Sequence, residues 1–488
     1  MSHTLVPQPS LPAWARAADA VTLVLGLVAV QASVFGGVRI GPVSIGTPWR
    51  ALIACVAVTG LRHYLVRTPP LHQSAWTWLR GGWRTEAVRS VWPMVVVTRL
   101  SVLLVGYVAV VSVGYAPGAP PYRISSNEAI NLPLRLDAGW YVGIAMEGYR
   151  WAPDAEDRGN IGFFPGYPLI TEGVASLLGA QNVFDAPLDR SPRLAMEQLE
   201  WTYLGSALLV SLLSFTWGMV WLYRLARAHL DAQAAHGALL LTAAYPFAVF
   251  FSAASTEALM LFAVVGSFYH YKREKWIWAA ACGLLAGVTR PDGFLLAGPL
   301  GVVGLRQLWA RRAADESPDK LARHTWVALG VAATPVLGLL IYSGFTYNLT
   351  GDPFAWLAVH TAWGHAQDGL PILTLPLQAV AGEGAVDYTV SRPVEILNAL
   401  GGALAIALIW PVTRRLGPEY GLLMVLSLAP PLLFGGFLSI GRTTSILFPM
   451  FMYLALVLVN RQRQILVAGF ASVQGLAAVL FFTWRVFP

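Results

Sequence analysis

Long apolar runs recur along nearly the whole chain, and they constrain its fold more than any other feature. A helix of about 20 apolar residues is long enough to cross the hydrocarbon core of a bilayer, which is about 30 Å thick. Only 12% of the 488 residues are charged, about half the share that soluble domains carry. We therefore predict an all-α polytopic integral membrane protein, with about 11–13 transmembrane helices.

Thirteen apolar runs can be placed on the sequence, and those between 235 and 309 are the most closely spaced. The first run resembles a signal peptide, but it is longer than a usual signal-peptide core, so we predict an uncleaved first span. The runs lie near 17–37, 48–66, 91–114, 200–223, 235–252, 254–270, 276–289, 293–309, 325–347, 394–412, 419–438, 443–460 and 464–484.

The basic residues between these runs predict the orientation, because cytoplasmic loops of membrane proteins are rich in Lys and Arg. With a cytoplasmic N-terminus, every short basic cluster falls on the cytoplasmic side. These clusters lie at 62–89, 224–227, 271–276, 306–323, 414–415 and 461–463. The net charge of +7 therefore reflects topology, and it does not indicate a nucleic-acid partner.

Two long loops fall on the opposite, extracytoplasmic side, near 116–198 and 349–392. Loops of this length in compact folds are usually functional. The first is rich in aromatic residues, Pro and Gly, and we expect it to form short helices at the membrane surface. We find no internal repeat and no separate soluble domain, so residues 1–488 are predicted to form one membrane domain.

The first long loop contains the segment 132–151, LPLRLDAGWYVGIAMEGYRW, in which Asp137 opens a predicted short helix. Aromatic residues follow Asp137 at helical spacing, so they lie on or beside its face. A carboxylate that is partly desolvated by such rings can serve as a general base. The alternative is that Asp137 only caps the helix, and the segment alone leaves both interpretations open.

Downstream, the segment 161–170, IGFFPGYPLI, combines two prolines and two glycines with three aromatic residues. This composition disfavours an ordinary long helix and predicts a rigid turn that dips into the interface. The turn could contact a substrate or could serve only as scaffold.

Further polar signatures occur at the ends of apolar runs, in 250–262, 287–295, 347–365 and 439–451. Each residue has a structural alternative, such as a local ion pair or an interfacial side chain. The topology nevertheless brings Asp137, Glu257, Arg290, Asp352, His360 and Arg442 to one membrane face, where charged groups near hydrocarbon are usually functional. Arg and His can hold a phosphate there, while a carboxylate acts on a nearby hydroxyl.

Two other observations bear on this site. His360 and His365 are five residues apart, which does not match the four-residue spacing of a helical metal pair, so we predict no metal site and no cofactor.

Arg99 lies about two turns inside its apolar run, where it is either structural or a ligand for a lipid phosphate.

The motif RLDAGWY (135–141), followed by FFPGYPL, SAASTEAL, TRPDGF and SIGR…LFPMF, resembles the PIG-V family. That family transfers the second mannose of eukaryotic GPI anchors, has many bacterial relatives and belongs to the GT-C polytopic glycosyltransferases. The matching motifs run in family order from about 133 to 451. The chain departs from the family at Leu136, where Trp is common.

This resemblance implies an inverting transferase that moves a sugar, most often mannose, from a polyprenyl-phosphate donor to a hydroxyl of a glycolipid or cell-envelope acceptor. Such donors generally need no bound metal. The resemblance makes Asp137 the general base, and it suggests a bacterial cytoplasmic-membrane protein. Together with the common membrane face, the resemblance implies that the donor is contacted by Glu257, Arg290, His360, His365 and Arg442. It implies that the acceptor is contacted, or the cavity lined, by Arg135, Trp140, Tyr141, Phe164, Tyr167, Asp292 and Asp352.

Two other functions stay open at this point. A transporter or flippase of a lipid-linked glycan would be expected to have repeated halves and polar sites at mid-membrane. The sequence shows no such halves, and its charged residues lie at the ends of the apolar runs, with Arg99 as the main exception. A non-catalytic assembly subunit is the third hypothesis. The acceptor, the choice of mannose over another hexose and the oligomeric state are not predicted.

Overall fold

The structure of the chain is a computed structural model, and it describes residues 12–35, 38–40, 43–45, 48–66, 85–119, 123–152, 159–180, 192–362, 393–435 and 440–485. These residues are almost entirely helical. The α-helices are Ala13–Phe35, Pro48–Leu65, Glu86–Val113, Glu128–Asn131, Ala138–Glu147, Gly166–Leu177, Pro192–Ala226, Ala232–Ala244, Thr256–Tyr271, Trp276–Thr289, Ala297–Ala313, Pro318–Ala332, Thr334–Thr350, Ala355–Ala362, Pro393–Arg415, Pro418–Pro430, Ile440–Thr444, Phe448–Val457 and Asn460–Phe482.

Several of these helices are long and apolar enough to span a bilayer. Within the described ranges there are five such helices, or seven if two bent pairs each count as one span. Their exposed surfaces are apolar, with Leu, Val and Trp side chains open to the surroundings at many positions. The chain is therefore an α-helical polytopic integral membrane protein, as predicted.

The chain divides into two compact units. The described residues of Met1–Arg89 and Gly173–Thr202 form the first. Here a buried ion pair joins the first two long helices, because the Arg62 guanidinium donates to both oxygens of Asp19, at 2.6 and 3.0 Å. A two-stranded antiparallel hairpin, Val38–Ile40 with Val43–Ile45, lies between these helices in the chain and is a small exception to the predicted all-α fold.

The second unit comprises the described residues of Ser90–Glu172 and Tyr203–Pro488. Small residues allow its helices to approach closely, as is common inside membranes. A β-carbon on Gly287 would lie 2.0 Å from the carbonyl oxygen of Pro335, and one on Gly338 would lie 2.6 Å from that of Leu284. The helices Trp276–Thr289 and Thr334–Thr350 are therefore in backbone contact.

A sharp bend interrupts one apolar segment of this unit. The helix Ala232–Ala244 meets the 3₁₀-helix Pro246–Ser252 at 78°. Such a bend frees backbone carbonyls, which must find donors inside a membrane protein. The Arg99 guanidinium donates to the carbonyls of Ala243 and Ala248 at 2.6 and 2.5 Å, and Gln474 donates to that of Ala243 at 3.0 Å. Of the two roles considered for Arg99, these contacts support the structural one.

Of the two local predictions for the first long loop, one is confirmed and one is wrong. A short helix begins after Asp137, Ala138–Glu147, as the spacing predicts. The segment 161–170 is a turn only as far as Pro165, because the helix Gly166–Leu177 begins within it. The prediction that the whole segment is a turn is wrong, since Pro168 lies in the first turn of the helix, where no backbone hydrogen bond is lost.

Candidate functional site

Asp137 stands at the junction between an irregular segment and the helix Ala138–Glu147. The segment is tied to a turn far along the chain, since the Ala254 amide donates to the Pro133 carbonyl at 3.0 Å. Leu136 has a φ of 53°, in the left-handed region that non-glycine residues rarely adopt. The Asp137 side chain makes no capping hydrogen bond to the helix, so its carboxylate is not used as a cap.

Arg442 lies at the centre of the site and joins two carboxylates from distant parts of the sequence. Its Nη1 donates to Asp137 Oδ2 at 2.5 Å, and its Nε is in close contact with Glu257 Oε1. Its Nη2 reaches Ser255 Oγ at 3.3 Å, and its guanidinium carbon lies 5.0 Å from the centre of the Phe250 ring. The short helix Ile440–Thr444 that carries Arg442 is held by Asn398, which accepts from the Gly441 amide at 2.8 Å.

A second arginine completes the cluster. Arg290 extends from the end of the helix Trp276–Thr289. Its Nη1 donates to Glu257 Oε1 at 3.1 Å, and its Nε donates to Asp292 Oδ1 at 3.1 Å. Glu257 therefore bridges both arginines, and we call these five residues (Asp137, Glu257, Arg290, Asp292 and Arg442) the charged cluster.

The members of the charged cluster differ in how much of each side chain is exposed to solvent. Glu257 is fully buried, and the Arg442 side chain is 13% exposed, whereas that of Asp137 is 33% exposed. Three carboxylates against two guanidinium groups leave a formal charge of −1. Burial lowers the pKa of Arg442, but Glu257 and Asp137 raise it more, so this pKa lies well above its ordinary value. The arginine keeps its charge, and Asp137 is the carboxylate of the bridge that a substrate can reach.

Aromatic rings flank Asp137 on its own helix. Trp140 is partly exposed and stacks on Phe163, with ring centres 5.6 Å apart. Tyr141 is buried against Phe163 and Tyr167. Burial, and then the charge of Asp137, raise the pKa of Tyr141, so its phenol stays neutral beside the carboxylate.

Other residues predicted for the cavity serve as scaffold. Phe164 is buried against Tyr342 and Trp356, with ring centres 4.6 and 5.3 Å away. Tyr167 is also buried, and its hydroxyl donates to the Ala207 carbonyl at 2.6 Å. Both belong to the segment whose role as scaffold or binding surface the sequence left open.

Arg135 and Asp352 make their hydrogen bonds outside the charged cluster. Arg135 is buried among backbone carbonyls. Asp352 caps the turn before the helix Ala355–Ala362, where its Oδ1 accepts from the Phe354 amide at 2.8 Å. His360 is described only as part of that helix, and His365 lies outside the described residues.

The structure also brings in residues that were not assigned to the site from the sequence. Ser255 donates to Glu257 and accepts from Arg442, so it braces the bridge between them. It lies inside the SAASTEAL motif, and this motif was the one signal that could have identified it. The contact of the Phe250 ring with Arg442 and the left-handed conformation of Leu136 could not be predicted from the sequence.

The cluster combines a reachable carboxylate with two guanidinium groups that can bind phosphate. A carboxylate so placed can accept a proton while the arginines neutralise a leaving anion. No protein-family model matches this chain, and no curated protein matches it either.

Proposed function

We propose that this protein is an inverting glycosyltransferase of the GT-C type. It transfers a sugar, which we propose to be mannose, from a polyprenyl-phosphate donor to a hydroxyl of a glycolipid or cell-envelope acceptor. The observation that carries the proposal is the bridge from Asp137 through Arg442 to Glu257. That bridge joins three of the motifs that resemble the PIG-V family.

In the proposed reaction, the acceptor oxygen attacks the anomeric carbon from the side opposite the phosphate. Asp137 accepts the proton of the attacking hydroxyl as the new carbon–oxygen bond forms. The bond between the anomeric carbon and the phosphate oxygen breaks, and its electron pair leaves with polyprenyl phosphate. The phosphate thereby gains a negative charge, which Arg442 and Arg290 neutralise.

Several supporting contacts keep the parts of this reaction in place. Glu257 is too buried to meet the acceptor, and it orients both arginines instead. The partly exposed ring of Trp140 provides an apolar wall beside Asp137 for the sugar. This division of roles agrees with the burial of Glu257 and the partial exposure of Asp137.

The proposal includes the orientation of the chain. We place the N-terminus in the cytoplasm and the charged cluster on the extracytoplasmic face of a bacterial cytoplasmic membrane, with 11–13 spans in total. A donor with a lipid tail suits this location, because its head group lies at the interface while its tail stays in the bilayer. Nucleotide sugars, by contrast, would be met at the cytoplasmic face.

The test is sugar transfer in proteoliposomes that contain the purified protein. They would receive either labelled polyprenyl-phosphate mannose or a labelled nucleotide sugar, together with envelope lipid extract as acceptor. We expect label to reach a new glycolipid or polymer from the lipid-linked donor only. Movement of the donor between leaflets without transfer would refute the proposal in favour of a flippase.

A further inference from the structure

Arg135, two residues before Asp137, is almost wholly enclosed by hydrogen-bond acceptors. The residue is buried, with 2% of its surface exposed. Its Nε donates to the Phe482 carbonyl at 2.9 Å, and its Nη1 donates to the Asn131 and Leu134 carbonyls at 2.6 and 2.8 Å. Its Nη2 donates to the Tyr115 hydroxyl at 3.1 Å. This guanidinium is therefore fixed in position and direction.

The acceptor from Phe482 belongs to the last turn of the last helix, Asn460–Phe482. The Phe482 ring is itself confined, because a β-carbon on Gly106 would lie 2.3 Å from its Cδ2. Arg135 thus connects the segment before Asp137 to a helix end that is 347 residues away in sequence.

Between the fixed Arg135 and Asp137 lies Leu136, at φ 53°. The left-handed conformation is unfavourable for a residue with a β-carbon, so it persists only where neighbouring contacts enforce it. On one side of Leu136 the enforcing contacts are the hydrogen bonds of Arg135. On the other side, Asp137 is bonded to Arg442 at 2.5 Å.

We infer that Arg135 is a positioning residue for Asp137. It holds Leu136 in the left-handed turn and thereby directs the Asp137 carboxylate toward Arg442 and the acceptor. The inference rests on the proposed function for its kinetic consequences, although the geometry it describes can be tested without sugar transfer.

The kinetic test is a double-mutant cycle between positions 135 and 136. Arg135→Gln should lower kcat by about 10²-fold with little change in the KM for the donor, because a misplaced base slows chemistry more than binding. Glycine adopts the left-handed conformation readily. In a Leu136→Gly background, Arg135→Gln should therefore cost about tenfold or less. Arg135→Lys should restore part of the rate.

Arg62→Gln is a matched control for the loss of a buried arginine, since Arg62 is 1% exposed and bonded to Asp19 in the first unit. We expect it to lower the yield of folded protein without changing kcat. Equal losses from Arg135→Gln in both backgrounds would overturn the inference and leave Arg135 with a structural role alone.

A second measurement does not depend on activity. Carbodiimide couples glycine ethyl ester to carboxylates that are exposed and not held in an ion pair. Mass spectrometry then measures the labelled fraction of each carboxylate. Arg135→Gln should release Asp137 from Arg442 and raise its labelling several-fold relative to the exposed Asp319. If wild-type protein transfers no sugar, the proposed function fails while this test remains valid. Unchanged labelling of Asp137 in Arg135→Gln would contradict the inference.

Discussion

Removing the negative charge of Asp137 should strengthen the binding of a phosphate to the charged cluster. In the structure, three carboxylates outnumber two guanidinium groups, and Asp137 occupies the Nη1 donor of Arg442. The charge of Asp137 therefore repels a phosphate that approaches Arg442. Asp137→Asn keeps the shape of the side chain and brings the formal charge of the cluster from −1 to 0.

The magnitude follows from the strength of the interaction between two charges at contact distance. Unit charges about 4 Å apart interact by about 4 kcal/mol at an effective dielectric constant of about 20. Because Asp137 is one-third exposed, solvent screening reduces the effect, and about 1–2 kcal/mol is a reasonable expectation. This energy corresponds to an affinity that is about 5–30-fold higher.

The assay is equilibrium binding of decyl phosphate to purified protein in nanodiscs at fixed ionic strength. Asp319→Asn is the control, since it removes the same charge from an exposed position in the first turn of the helix Pro318–Ala332. We expect tighter binding to Asp137→Asn and unchanged binding to Asp319→Asn. Unchanged or weaker binding to Asp137→Asn would refute the idea that the charge of Asp137 opposes phosphate binding to Arg442.

Three further substitutions test the scaffold of the site. Glu257→Gln should lower the free energy of unfolding in mixed micelles by about 3 kcal/mol, because it removes the buried charge that both arginines share. Arg99→Met should cost about 2 kcal/mol in the same assay, since it leaves the buried Ala248 carbonyl without its Arg99 donor and the Ala243 carbonyl with Gln474 alone. Gly441→Ala would place a β-carbon 2.0 Å from the Phe247 ring and should lower the transfer rate about tenfold, whereas Gly475→Ala meets no atom within 4 Å and should not.

The helical membrane architecture was predictable because it depends on the length of the apolar runs. That length can be read from each stretch of sequence without knowledge of the rest of the chain. Each of the thirteen apolar runs overlaps a helix among the described residues, but only five of these helices, or seven with the two bent pairs, are long and apolar enough to span a bilayer. The number of 11–13 spans therefore stays a prediction. The helix after Asp137 was predictable for the same reason, since its spacing is local. The early start of Gly166–Leu177 was not predicted, because a proline in the first turn of a helix reads in sequence as a helix breaker.

Within the site, the sequence could indicate which charged residues share a membrane face but not which ones touch. The pairing of Arg442 with both Asp137 and Glu257 joins positions 305 and 185 residues apart. The anchoring of Arg135 depends on a backbone carbonyl of Phe482, an atom that every residue possesses. No side-chain pattern could reveal that contact, which exists only once the helices have packed.

The central claim is that Asp137 acts as a base on an acceptor hydroxyl, and its most direct test is a rate ratio. Initial rates of mannose transfer from polyprenyl-phosphate mannose would be compared for wild type, Asp137→Asn and Asp319→Asn at equal amounts of folded protein. We expect Asp137→Asn to be slower by at least about 10²-fold, and Asp319→Asn to match wild type. An Asp137→Asn variant that transfers mannose at the wild-type rate would contradict the account.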